Sequence, residues 1–342
     1  QQTAHVKILL ALKAFACSAL FPVLSRAFAG PLHGTCASSA DEARLGREAF
    51  GGEVHSFACA FEEEELIQIL DYSDHVVFNS LAQWECFKAT VLAYTRKTGR
   101  IIRFGLRINP EHSEGACPIY DPCAPGSRLG IRFHDFRESV FSEGISGLHF
   151  HTLCEQGADA LWRTISAMDQ TYGTCWSRCS WINMGGGHHI TRADYDLPLL
   201  YRSIERVRRE ATSAEIYLEP GEAVALDAGW LTATVLDIVD AELPVVIMDV
   251  SPACHMPDTL EMPYSPPVFA LCEGRVEEAL PQEGEFQEKR ATTGWVARLA
   301  GKSCLAGDVL KAPYCFAKPL QIGSRIVFGD MAIYSIDRKS VV

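Results

Sequence analysis

Residues 181–191, WINMGGGHHIT, carry a short apolar run into three consecutive glycines, Gly185, Gly186 and Gly187, and a helical pattern starts near Asp194. A buried strand that passes through a glycine turn into a helix is one unit of a βα repeat. The same unit recurs on both sides. Strands are expected at KILLAL (7–12), GTCAS (34–38), EVHSFA (53–58), HVVFNS (75–80), RFGLRIN (103–109), GLHFHTL (147–153), WINMGG (181–186) and EIYLEPG (215–221). Helical patterns occupy 40–50, 62–70, 81–98, 156–172 and 194–211, and the polar, Pro- and Gly-rich stretch 109–133 reads as a long loop. Eight strands with helices in most gaps are what a closed (β/α)8 TIM barrel requires.

Beyond about residue 225 the pattern changes. WLTATVLDIVD, PVVIMDVS, GDVLKAPY and SRIVFGDMAIYSI are short β-rich runs without amphipathic helices between them. They predict a C-terminal all-β domain, a β-sandwich or barrel-like unit. The segment EGRVEEALPQEGEFQEKRATTG is charged and reads as a hairpin with a surface loop. The expected fold is therefore α/β plus all-β, with the barrel over residues 1–225 and the β-domain over residues 226–342.

The whole chain has 342 residues, 48% of them hydrophobic and 22% charged, enough to bury a large core. Forty-three acidic against 31 basic residues give a net charge of −12. Such a surface argues against nucleic acid as a partner and suits a cationic ligand. Thirteen scattered cysteines form no disulfide framework, and Cys175 and Cys179 make one CxxxC pair with no second pair at zinc spacing. The run ILLALKAFACSALFPVL after Lys7 imitates a signal peptide, but Lys13 interrupts it and its pattern suits a strand followed by a helix. No other run is apolar enough to span a bilayer. The reading is a soluble, cytoplasmic protein.

Barrel enzymes place their chemistry at the C-terminal ends of the strands. At that edge fall Lys13, Arg107, Asn109, His149, His151, the glycines 185–187 and Glu219. A lysine among apolar neighbours is expected to lose its proton readily and to offer a neutral amine to a carbonyl; the alternative is a snorkelling strand-end lysine. Three glycines before a helix can close backbone N–H groups around a phosphate, although many such turns bind nothing. Glu219 could bind a protonated pyridine nitrogen or simply cap a loop. His151 could lie against an aromatic ring, or His149 and His151 together could ligate a metal. With no third ligand at convincing spacing, no metal is expected.

Together the strand-one lysine, the HFH of strand six, the GGG loop and the EPG motif resemble the fold-type III pyridoxal-phosphate decarboxylases, which join an alanine-racemase-like barrel to a C-terminal β-domain. Within that class the runs LLALKAFA, CASSADEARLG, LHFHTLCEQG, NMGGGHHITR, LEPGEAVAL, DVSPACHMPDTLEMPY and SCLAGDVL are similar to the carboxynorspermidine/carboxyspermidine decarboxylase family of polyamine biosynthesis. The resemblance implies pyridoxal 5'-phosphate as cofactor, with Lys13 holding it, His151 stacked on its ring, Gly185, Gly186, Gly187 and Tyr334 at its phosphate and Glu219 at its pyridine nitrogen. It implies Cys304 as the proton donor, reaching across a homodimer interface, and Asp308 of the same loop as a residue that approaches the substrate. Glu222 and Asp258 would meet a cationic polyamine, where relatives acting on shorter amino acids often carry an arginine in place of Glu222. Decarboxylation of another basic amino acid, such as diaminopimelate or ornithine, and a non-catalytic pyridoxal-phosphate-binding barrel are the alternatives.

Overall fold

A computed structural model describes residues 6–27, 32–115, 118–261, 264–272, 274–282 and 294–335. The chain divides into two compact units, one up to Val224 and one from Ala225. The first contains strands β1 (Val6–Ala11), β2 (Gly34–Ala37), β3 (Glu53–Phe57), β4 (His75–Phe78), β5 (Arg103–Asn109), β6 (Ile131–Arg132), β7 (Ile145–His149), β8 (Trp181–Asn183) and β9 (Glu215–Leu218). All pair in parallel in the order β4-β3-β2-β1-β9-β8-β7-β5, β4 returns to β5, and the barrel closes on eight strands with β6 added beside β5. The apolar run near the start of the chain is β1, paired on both edges with β2 and β9.

Around the barrel run α1 (Phe21–Ala27), α2 (Ala40–Leu45), α3 (Glu63–Tyr72), α4 (Leu81–Thr98), α5 (Ala158–Thr171) and α6 (Leu197–Glu210). Their ends are written in the sequence. Ser80 Oγ accepts from the Gln83 N–H at the start of α4, and Gly99 closes it at φ +70°. Asp196 caps α6, with Pro198 in its first turn. Leu161, Ile165 and Met168 of α5 and Leu200, Ile204 and Val207 of α6 are buried at helical spacing. Each contributes about 1.5–3 kcal/mol by leaving water.

Inside the barrel the packing depends on two missing side chains. The Trp181 indole lies where a Cβ on Gly147 would sit 2.1 Å from Cε2 and one on Gly105 would sit 2.4 Å from Cζ2. The ring is fully buried, with Leu9, Val77 and Tyr217 around it, and its Nε1 donates to Ser146 Oγ at 3.1 Å.

The second unit is a closed seven-stranded barrel: β10 (Leu231–Val239), β11 (Val245–Met248), β12 (Val268–Cys272), β13 (Arg275–Pro281), β14 (Trp295–Gly301), β15 (Tyr314–Phe316) and β16 (Arg325–Phe328), in the order β10-β11-β14-β15-β13-β12-β16. Two short helices, α7 (Pro252–His255) and α8 (Asp258–Glu261), follow β11. The sequence reading corrects in three places. GDVLKAPY contributes only its last residue to a strand, because Asp308 turns inward to anchor a loop instead. Within the last run, residues 331–335 are irregular, with Tyr334 at φ +50°. Within the charged segment 273–294 the described strand is β13, which pairs with β12, a strand that precedes the segment, and 283–293 lies outside the described residues. Among the described residues no helix is long and apolar enough to cross a membrane.

Candidate active site at the C-terminal mouth of the barrel

The strands end slightly earlier than the sequence suggests. Lys13 and His151 stand two residues beyond β1 and β7, and Glu219 one beyond β9, so these side chains issue from turns at the mouth. Ala14 and Phe15 donate to the Ala11 carbonyl, which curls the chain at Lys13. Lys13 is exposed, whereas Leu12, Ala14 and Phe15 beside it are buried.

Glu219 is the electrostatic centre of the mouth. Its Oε1 accepts from Asn183 Nδ2 at 2.6 Å, and its Oε2 lies 3.2 Å from His149 Nε2. Burial works to raise its pKa, but the neighbouring His149, His55 and His151 prevail and hold it at about 2. The group is therefore a carboxylate at neutral pH.

His151 is set by the loop beyond β8. The Gly186 N–H donates to its Nδ1 at 2.9 Å, so the ring proton belongs on Nε2. Burial, with Arg107 and Lys13 close by, pushes its pKa well below the ordinary histidine value. With His149 turned to Glu219 and the His151 Nδ1 filled by a backbone donor, the two rings do not converge as a metal pair. Arg107 is itself buried, stacks 4.6 Å over the Phe57 ring, donates to the His151 carbonyl at 3.3 Å, and is lowered to about 10 by burial. Asn109 has a structural task instead: its Nδ2 donates to the Leu129 carbonyl and its Oδ1 accepts from the Glu111 N–H, pinning the long loop.

The glycine loop admits no side chains. Gly185 and Gly187 have φ of +71° and +78°, and a Cβ on Gly185, Gly186 or Gly187 would lie 2.4, 2.3 or 2.0 Å from the carbonyl oxygens of Phe150, Glu219 or Leu153. The Gly185 N–H is taken by Asn183 Oδ1 at 2.9 Å. Two of the three glycine N–H groups thus hold the mouth's own side chains in place.

Glu222 opens a short 3₁₀ turn on the far side of Glu219 in sequence, and its Oε1 stands 3.3 Å from His189 Nε2. That carboxylate raises the His189 pKa. Glu155, at φ +52°, brings a second carboxylate to the pair. Asn183 and His189 were missed in the sequence. Asn183 was detectable as the one polar side chain in an otherwise apolar strand.

The other candidates lie in the second unit. Asp308 is buried, and its oxygens accept from Ser251 Oγ (2.8 Å), the Ala253 N–H (2.9 Å) and Ser303 Oγ (2.6 Å). Its carboxylate joins the start of α7 to the loop that carries Cys304. Cys304 is exposed in that loop, and Asp258 starts α8. Cys175 and Cys179 are buried thiols, the latter donating to the Cys175 carbonyl, as packing residues do.

A scan against protein-family models finds no match. Curated relatives do match. The chain is 39% identical over 96% of its length to the carboxynorspermidine/carboxyspermidine decarboxylase of Campylobacter jejuni, covering 81% of that protein. It is 37% identical over 98% of its length to the carboxyaminopropylagmatine decarboxylase of Synechocystis, covering 80% of it. The crystal structure of carboxynorspermidine decarboxylase from Campylobacter jejuni complexed with norspermidine superimposes with a TM-score of 0.76 at 37% identity, over 97% of this chain and 82% of that one. Diaminopimelate decarboxylase from Helicobacter pylori shares the fold at 15% identity, with a TM-score of 0.74 over 98% and 82% of the two chains. Barrel, second β-unit and mouth together define a decarboxylase of the fold-type III class. The chain belongs to the carboxynorspermidine/carboxyspermidine decarboxylase family.

Proposed function

We propose that the protein decarboxylates a carboxylated polyamine, carboxynorspermidine or carboxyspermidine, to norspermidine or spermidine, using pyridoxal 5'-phosphate as a homodimer. The observation that carries the reading is Glu219, a buried carboxylate kept charged between Asn183 and His149. The residues of the mouth fit the cofactor: a side-chain-free glycine loop for its phosphate, an uncharged His151 for its ring, an exposed Lys13 amine for its aldehyde, and Glu219 for its pyridinium. Tyr334 would add to the phosphate site. When bound, that cofactor takes up the electrons of the breaking Cα–carboxylate bond.

The protein's own groups do the rest. Glu219 would accept a hydrogen bond from the cofactor's protonated ring nitrogen, which a neutral amide would support less well. His151, proton on Nε2 and uncharged, adds no positive charge beside that ring. Glu222, with Glu155, would replace water around the substrate's ammonium groups, and Asp258 is a further carboxylate of the kind such a substrate takes. As carbon dioxide leaves, the thiol of Cys304 delivers a proton to the same carbon. Its exposure suits a group that completes the site of a partner subunit, and Asp308 positions its loop.

Turnover assays on the pure protein with added pyridoxal phosphate test this, offering carboxynorspermidine, carboxyspermidine, carboxyaminopropylagmatine, diaminopimelate and ornithine, with Lys13→Ala as control. Conversion of carboxylated polyamines, absent in the control, supports the reading. Preference for diaminopimelate or ornithine overturns the substrate assignment. A second substrate, carboxyaminopropylagmatine, is favoured by the 37% identity to the Synechocystis enzyme. Its guanidinium tail suits the same carboxylates.

A further inference from the structure

At the opposite, N-terminal end of the barrel, β3 and β4 begin with Glu53 and His75, and His55 follows two residues along β3. Alternation puts Glu53 and His55 on one face, and the parallel register sets His55 beside His75. The two imidazoles stack at 3.8 Å, both rings almost wholly buried against Trp181 and Tyr217. Neither ring nitrogen of His75 has a hydrogen-bond partner, nor has Nδ1 of His55. A neutral imidazole has one donor and one acceptor, and leaving them unmet in the interior is strongly unfavourable.

The remaining partners are fully placed. Glu53 Oε1 takes Lys7 Nζ at 2.9 Å and His33 Nε2 at 2.8 Å. Glu53 Oε2 accepts from Tyr217 OH at 2.8 Å and lies 3.3 Å from His55 Nε2 and 4.0 Å from His75 Nδ1. Lys7 and Arg103 also pair with Glu215, so these two cations are already matched by two carboxylates. Tyr217 has a second acceptor in Glu215 Oε2 at 3.1 Å and can release Glu53 Oε2. One ligand atom from each of Glu53, His55 and His75 lies within 4.8 Å of the other two. Bonds of about 2.0–2.2 Å to a zinc-like ion hold ligand atoms up to about 4 Å apart, so small ring rotations complete the set.

We propose that Glu53, His55 and His75 form a divalent transition-metal site at the N-terminal mouth of the barrel, built from residues other than those that would contact the cofactor. Two imidazoles and one carboxylate select an ion of the Zn²⁺, Co²⁺ or Ni²⁺ kind over Mg²⁺ or Ca²⁺, which prefer all-oxygen shells. The ring nitrogens are available because Nδ1 of His55 and both ring nitrogens of His75 have no hydrogen-bond partner. The ion's task is structural: it ties β3 to β4 and meets the nitrogen atoms that the protein leaves unmet.

The test uses the full chain with its cofactor and Co²⁺ as probe. One equivalent of Co²⁺ with a visible ligand-field spectrum is expected, with a chelator-reversible rise in Tm. His55→Gln and His75→Gln should each weaken binding by more than the roughly tenfold to hundredfold that loss of an outer-shell partner costs, and His75→Gln should leave turnover in place. If a variant does not fold, the anomalous scattering of Co²⁺ in wild-type crystals decides, with a peak bonded to His75 expected. Binding of less than one equivalent, unchanged affinity in both variants, or anomalous density confined to cysteines overturns the proposal.

Discussion

Gly186 gives its backbone N–H to Nδ1 of His151 at 2.9 Å, locking the loop beyond β8 to the loop beyond β7. The bond does two things at once. It fixes the ring tautomer, and it uses a glycine at a position where any Cβ would strike the Glu219 carbonyl. Replacement of Gly186 by alanine is expected to displace Glu219 and His151 together, lowering turnover by roughly a hundredfold. Steady-state kinetics of Gly186→Ala check this, and a loss confined to KM would contradict it.

Glu219→Gln keeps an acceptor for Asn183 but removes the buried charge. Turnover should fall by roughly a hundredfold or more, with Tm nearly unchanged. Retention of most activity would show that the negative charge at this position is not used.

Acid should destabilise the protein earlier than its carboxylates alone require. Burial lowers His75 to about 2 and His188 to about 4, so the folded chain refuses protons that the unfolded chain accepts near 6.5. Stability is therefore complete above that value and is lost as pH falls through and below it. Each histidine accounts for about 2 kcal/mol between pH 7 and pH 5. Urea unfolding at the two pH values measures the difference, and bound metal at His75 would enlarge it by competition with protons.

Gly147→Ala puts a Cβ into the Trp181 indole and should cost about 1–3 kcal/mol. Trp181→Leu empties much of that space. The double variant should then cost less than the two single changes added together, because both act on one volume. Additive denaturation energies would mean that the indole moves aside freely.

Asp308→Ala strands Ser251, Ser303 and the Ala253 N–H. A loss of about 1–3 kcal/mol is expected. Hydrogen exchange should accelerate around residues 302–307, and turnover should fall with it. Unchanged exchange in that loop would remove its positioning role.

The barrel was legible because its information is local. Apolar runs such as HVVF, glycine turns and capping residues such as Ser80 and Asp196 act within a few positions of themselves, so all eight strands could be read with only their ends misplaced. The second unit was less legible. Its strands VFALC and WVARLAG are short and carry no turn signature of their own, and β11 pairs in parallel with β14, which is distant in the chain. The sequence by itself also determined the chemistry on offer at the mouth, through Lys13, His151, the three glycines and Glu219. Only the tertiary structure decided what state those groups are in and which stand together. Glu219 is a carboxylate because His149, His55 and His151 come to it from elsewhere in the barrel, Asp308 joins two segments of its own unit, and Glu53, His55 and His75 meet only when β3 lies beside β4. Ionisation and ligation depend on distance in space, and closing the barrel is what turns separation along the chain into contact across it.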